Sequence, residues 1–213
     1  MVFTVFEILD MFIMSFALGF IFKDIIRSPP KPQAEYDPLA QYEQGRMRTG
    51  WAKIWMAAAV VAPGIILHEL AHKFSAMLMG AQNPMFFAAC SSASLFGGPA
   101  GLGSWSCNIL ILAIVLKLLN FGFLFFVPGF VAYPTAGISA LASSFIAFTG
   151  PLMNLLFWGG ARLLISRGKV KREWLPAAVL FARINGFLFV LNMLPIPGFD
   201  GWHVFAGILG TIF

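Results

Sequence analysis

The chain has 213 residues, 59% of them hydrophobic and only 11% charged, with 24 phenylalanines. That composition leaves too little polar surface to cover a soluble globule and predicts an integral membrane protein with the lipid bilayer as its partner. The formal net charge of +5 does not point to nucleic acid, because the basic residues are grouped in two loops flanking apolar spans, which is the pattern of membrane topology.

The first expected span is Val2 to Phe22. It lacks the basic start and small-residue cleavage site of a signal peptide and is expected to stay in the mature protein. Glu7 and Asp10 lie within it at helical i, i+3 spacing. Such a pair would mark a proton or ion path or lie near the water interface, and the interface is the cheaper explanation. Lys23 to Trp51 carries Pro29, Pro30, Pro32 and Pro38 among mixed charges. It reads as an extra-membrane linker without a core of its own.

Ala57 to Gly80 is an apolar stretch holding His68, Glu69 and His72. At about 100° per residue the two histidines share one helix face, roughly one turn apart, so their imidazoles can converge on one ion. In H-E-x-x-H sites the histidines bind Zn²⁺ and the glutamate takes a proton from the attacking water. An ionisable group at mid-membrane costs about 2.5 kcal/mol or more, which weighs against chance occurrence of this cluster in an apolar run. Pro63-Gly64 precedes the motif and is expected to kink or loosen the helix.

Ala81 to Ser106 is rich in Gly, Ser and Ala, has no Lys, Arg, Asp or Glu, and reads as a loop. Cys90 and Cys107 are too few for a cysteine zinc site and are read as structural or free, with a disulfide open. Asn108 to Leu119 is apolar but short, and Phe121 to Tyr133 is aromatic and β-branched around a Pro-Gly break. A full helical span needs about 20 residues, so these are expected to be a short helix and an extended re-entrant or β-like segment. Such backbone must be buried in protein or line a cavity. Lys117 can snorkel and is given no chemistry.

Ile138 to Ile165 and Leu175 to Leu194 are further helices, separated by the basic run Arg162, Arg167, Lys169, Lys171 and Arg172. Trp202 to Phe213 begins a last apolar segment. The chain is thus expected to be an all-α polytopic membrane protein of about five to six membrane segments, in one domain over residues 1–213, with the polar linker at 23–51.

A catalytic zinc site needs a third protein ligand. Outside the linker and the basic run, the acids are Glu7, Asp10, Glu69 and Asp200, and the remaining histidine is His203. Asp200 follows Pro195, Pro197 and Gly198, where a broken helix would aim a carboxylate sideways into a cavity; a turn at the membrane surface is the other reading.

His68-Glu69-Leu-Ala-His72, Gly150-Pro151-Leu-Met-Asn154, and Asn192-Met-Leu-Pro195-Ile-Pro197-Gly-Phe-Asp200-Gly201 together resemble the three signatures of the site-2 protease family of intramembrane zinc metalloproteases, in its compact prokaryotic, archaeal-type form. The resemblance implies His68, His72 and Asp200 as ligands of Zn²⁺ and Glu69 as catalytic acid/base. It implies Asn154 and Asn192 near the active site, holding substrate or an oxyanion; a helix-packing hydrogen bond is the alternative for each. It also implies a membrane-protein substrate and a multi-pass place in the cell membrane. Lys73 departs from the small residue of many members, and its head is expected to reach a polar surface. The positive-inside rule places both basic segments in the cytoplasm. The resemblance implies that they lie outside, and the resemblance is followed. A metal transporter using the same ligands, or an inactive relative of the proteases, is the alternative function. A transporter has no need of Glu69, and an inactive relative would typically have lost it.

Overall fold

The computed structural model describes residues 3–24, 50–91, 105–119 and 129–212. In chain order it contains α1 (Val5–Phe22), α2 (Gly50–Leu78), β1 (Met85–Ala88), α3 (Trp105–Leu118), β2 (Gly129–Ala132), α4 (Ala140–Ser166), α5 (Leu175–Asn192) and α6 (Asp200–Ile212). α1, α2, α4 and α5 are long and apolar enough to cross a membrane, and α3 is a shorter apolar helix. The chain is an all-α polytopic membrane protein with one small two-stranded sheet.

α2 begins at Gly50, within the stretch read from sequence as linker, and continues through Pro63 for 29 residues. At 1.5 Å per residue that is about 43 Å, longer than the hydrocarbon core of a bilayer. α1 packs antiparallel to it, with Glu7 meeting Lys73 at one end. At the other end a side chain on Gly19 would begin 2.5 Å from the Ile54 carbonyl oxygen, so the bare Cα is what lets the two helices close. α4 is also antiparallel to α2. His72 meets Ile146, Ser75 bonds Thr149 at 2.9 Å and His68 meets Asn154. The N-terminal end of α2 and the basic C-terminal end of α4 therefore lie on one side. Lys117 of α3 reaches the same side, pairing with Asp24 at 2.9 Å. The hydrogen bond from that ammonium holds the exposed Asp24 carboxyl below its ordinary range.

The sheet departs from the sequence reading in one place. Met85–Ala88, expected to be loop, is a strand. It pairs antiparallel with β2, which lies inside the segment expected to be β-like; residues 121–128 of that segment fall outside the described residues. Cys90, just beyond β1, is joined by a disulfide to Cys107 in α3.

Glu7 and Asp10 are not at the water interface: each is only 1% exposed. Phe86 N–H donates to Glu7 Oε1 at 2.8 Å and Ala88 N–H donates to Asp10 Oδ2 at 3.1 Å. These are the N–H groups on the edge of β1 that faces away from β2. The two carboxylates therefore stand in for a neighbouring strand, which a sheet edge inside a membrane requires. Glu7 also caps its own helix, accepting from Thr4 N–H at 2.9 Å in a capping box. Lys73 reaches no polar surface either, because its ammonium is buried against Glu7. The reason is electrostatic: a buried carboxylate that closes a strand edge needs a counter-charge, and the residue after His72 supplies it.

Removing one member of a buried pair typically costs about 3–5 kcal/mol, because the other charge is left uncompensated. Glu7→Gln leaves a single side-chain oxygen, enough for Phe86 N–H or Thr4 N–H but not both, and strands Lys73, so it is expected to lower the melting temperature in detergent markedly. Glu7→Gln with Lys73→Met should recover most of the loss. A double variant no more stable than the single one would show that the pairing does not hold the sheet.

Candidate metal centre

The H-E-x-x-H turn of α2 places His68 and His72 on the face that meets α4 and α6, as the helical spacing predicts. Asp200 arrives from a different direction. α5 stops at Asn192, Pro195 and Pro197 prevent its continuation, and Gly198 turns at φ +96°. Asp200 then opens α6. A side chain on Gly201 would begin 2.5 Å from the Met193 carbonyl oxygen, so glycine is required for the chain to fold back over the end of α5.

The three candidate ligand atoms form a tight triangle. His68 Nε2 lies 3.1 Å from His72 Nε2 and 3.1 Å from Asp200 Oδ2, and His72 Nε2 lies 3.4 Å from Asp200 Oδ1. Ligands about 2.0–2.1 Å from a tetrahedral ion stand about 3.3 Å apart, so this donor set fits Zn²⁺ with one position left over. Among the described residues this is the cluster of His, Cys, Asp and Glu side chains that could hold an ion.

The far nitrogens of both rings are engaged. His72 Nδ1–H donates to the Ile146 carbonyl at 2.8 Å, which fixes the tautomer and leaves Nε2 with a free lone pair. The Asn154 amide approaches His68 Nδ1 at 2.8 Å through its nitrogen, and its buried oxygen has no partner. Turned end for end, the amide has the same shape, and its oxygen would accept from Nδ1–H. That is the orientation a ligating Nε2 on His68 needs.

Gly150 was visible in the sequence only as part of a motif. A side chain there would begin 2.2 Å from His72 Nε2 and 2.7 Å from His68 Nε2. Bare backbone of α4 thus forms one wall of the centre, a requirement that spacing alone does not reveal.

The centre opens into a cavity of about 440 Å³ lined by His68, Glu69, His72, Asp200, the β2 strand and His203, among others. Glu69 is 4% exposed and lines this cavity beside the ligand triangle. Asn192 lines it too, its amide nitrogen 3.5 Å from His68 Nε2. Asn154 is buried behind His68, on the ring nitrogen away from the triangle. The structure therefore brings together all six residues singled out from the sequence, with Asn192 facing the cavity and Asn154 behind it. His203 lines the same cavity, and its place one turn after Asp200 was the available signal.

The far edge of β2 also faces this space. Phe86 and Ala88 direct their N–H groups away from β2, so Val131 and Gly129, their partners in the register, direct theirs away from β1.

In comparisons with known proteins, the chain is 33% identical over 146 residues to "Putative zinc metalloprotease MJ0611" of Methanocaldococcus jannaschii, covering 68% of the chain and 65% of that protein. It is 28% identical over 176 residues to "Putative zinc metalloprotease Rip2" of Mycolicibacterium smegmatis, covering 72% of the chain and 63% of that protein. The chain thus spans a little under two thirds of the length of the curated relatives it matches. No family model matches the chain, and no solved structure does.

Two substitutions test the triangle through metal content. Elemental analysis of the purified protein is expected to give about one zinc per chain. Asp200→Ala removes a ligand and Gly150→Ala inserts a methyl group among the ligand atoms. Each is expected to weaken zinc binding by more than the 10–100-fold that outer partners command. Full zinc occupancy in Gly150→Ala would mean that the ion sits elsewhere.

Proposed function

We propose that this chain is a member of the site-2 protease family, an intramembrane zinc endopeptidase of the cell membrane that hydrolyses peptide bonds in or near the transmembrane segments of other proteins. The observation that carries this reading is the meeting, in one cavity, of a ligand triangle spaced for zinc, a buried carboxylate beside it and an open strand edge. The similarity to two proteins named as zinc metalloproteases supports the same class.

Zinc held by His68, His72 and Asp200 would supply a Lewis acid for the scissile carbonyl and acidify the attacking water. Glu69 takes the proton from that water and delivers it to the leaving amine. Asn192, within reach of a ligand atom, donates its N–H to the oxyanion that develops on the carbonyl. Asn154 and the Ile146 carbonyl hold the two imidazoles by their far nitrogens, so both lone pairs stay aimed inward.

A peptide bond inside a helix is shielded by its own hydrogen bonds, so the substrate must unwind before it can react. The outward N–H and C=O groups of Val131 and Gly129 provide replacement partners, and an extended substrate adds to the sheet as a third strand. A metal carrier needs the ligands alone. The carboxylate of Glu69 and the open edge beside the ligands are what a hydrolase needs in addition.

Glu69→Gln keeps the side-chain shape but removes the base. Groups of this kind contribute about 10²–10⁴-fold, and here one residue serves both proton steps. The variant is therefore expected to keep its zinc and lose nearly all cleavage of a transmembrane substrate in detergent. Near wild-type cleavage by Glu69→Gln, or zinc transport into vesicles without any cleavage by the wild type, would overturn the protease reading.

Val131→Pro tests the strand edge separately. It removes one outward N–H while leaving the hydrogen bonds between β1 and β2 intact. It is expected to raise KM for a protein substrate about tenfold or more with zinc content unchanged, since the lost contact and the ring both obstruct strand addition. An unchanged KM would sink the strand-pairing step while leaving the zinc chemistry standing.

A further inference from the structure

A second cavity lies away from the metal centre, towards the other side of the bundle. It has a volume of about 720 Å³ and is walled by Met56, Val60, Phe157, Leu164, Ala178 and Phe181 among others, from α2, α4 and α5. Val170 and Trp174, in the short connection between α4 and α5, also line it. Between Leu156 and Leu164 it runs eight residues along α4, about 12 Å at the helical rise.

The α4–α5 connection is strongly basic. From Arg162 to Trp174 the sequence holds five basic residues and one acid, Glu173. Arg162 rests over the Trp158 ring, 5.6 Å from its centroid. Arg167, Lys169, Lys171 and Arg172 are exposed, and none forms an ion pair with another described residue. Trp174, 60% exposed, has the amphipathic ring that favours the boundary between membrane and water.

We propose that this groove is a binding site for an anionic membrane phospholipid, with a hydrocarbon tail lying between α2, α4 and α5 and the phosphate held by the basic connection. An apolar slot next to several exposed cations, none of them ion-paired among the described residues, matches the two halves of such a molecule. A partner transmembrane helix fits less well. It would need a face running through the hydrocarbon core of about 30 Å, and this groove takes up less than half of that depth. Gly160 lines the groove, and no atom lies within 4 Å of where a side chain would begin there, so a larger residue at this position can enter the slot.

Native mass spectrometry of the detergent-purified full chain can test this with phosphatidylglycerol and phosphatidylcholine carrying identical tails. Phosphatidylglycerol is expected to be retained at least tenfold better. Each basic residue beside an anionic headgroup contributes about fivefold, so Lys169→Gln, Lys171→Gln and Arg172→Gln together should abolish the preference. Gly160→Leu fills the slot from within a well-formed helix and should reduce retention of both lipids. Equal retention of the two lipids, a preference that survives the triple change, or retention untouched by Gly160→Leu would each overturn the proposal. So would a groove that Gly160→Leu empties of a second protein chain and not of lipid. None of these outcomes depends on cleavage activity, so the result stands apart from the protease reading.

Discussion

The structure depends on one requirement: a strand placed among membrane helices must have both edges satisfied or facing a cavity. β1 meets it with β2 on one edge and with the carboxylates of Glu7 and Asp10 on the other. Two acids in a first membrane helix are costly, and Glu7 is stabilised by Lys73 and by the backbone groups it serves. The pairing also fixes geometry. Lys73 follows His72 directly, so the contact that closes the sheet edge ties the sheet to the turn that carries the metal ligands. Because side chains close one edge, the edge of the sheet left open among the described residues belongs to β2 and faces the cavity.

The candidate metal centre is assembled by a similar economy of backbone. α4 contributes no ligand, yet its bare Gly150 lets the imidazoles lie against it, its Ile146 carbonyl orients His72 and its Asn154 orients His68. The third ligand comes from a break in the chain that two prolines and two glycines make possible. α2, α4 and α6 thus meet at one triangle, and the two imidazoles are held there by their far ring nitrogens.

Much of this was legible beforehand because periodicity and ligand chemistry are local. H-E-x-x-H on an apolar helix fixes two ligands by spacing, and the scarcity of other acids and histidines leaves few candidates for the third. The helical spans were legible for the same reason, since about 20 apolar residues have few other uses. What could not be read depended on contacts distant in sequence. β1 is four residues without a charge in a Gly- and Ser-rich stretch, and it is a strand because β2 pairs with one edge and Glu7 and Asp10, nearly eighty residues earlier, accept the N–H groups of the other. The same two acids looked interfacial because a carboxylate in an apolar run shows its cost in the sequence but not its partner. Lys73 misled in the same way.

The two halves of the bundle divide the work by depth. His72 lies about 9 Å of helical rise from the C-terminal end of α2, whereas His68 lies about 27 Å from its first residue. The irregular backbone sits in the shallow half. β1 and β2 lie level with Glu7 and Lys73, and α6 runs from Asp200 towards the first turn of α4, where a side chain on Gly207 would begin 2.6 Å from the Ala140 carbonyl oxygen. In the deep half, α1, α2, α4 and α5 continue as unbroken helices, whose backbone groups are satisfied internally and need no water. Chemistry that consumes water belongs in the shallow half, where a short path can hydrate a strand edge and a broken helix. The deep half supplies the rigid frame. The large cavity between α2, α4 and α5 there is apolar, and an apolar occupant would bring no water towards the candidate metal centre.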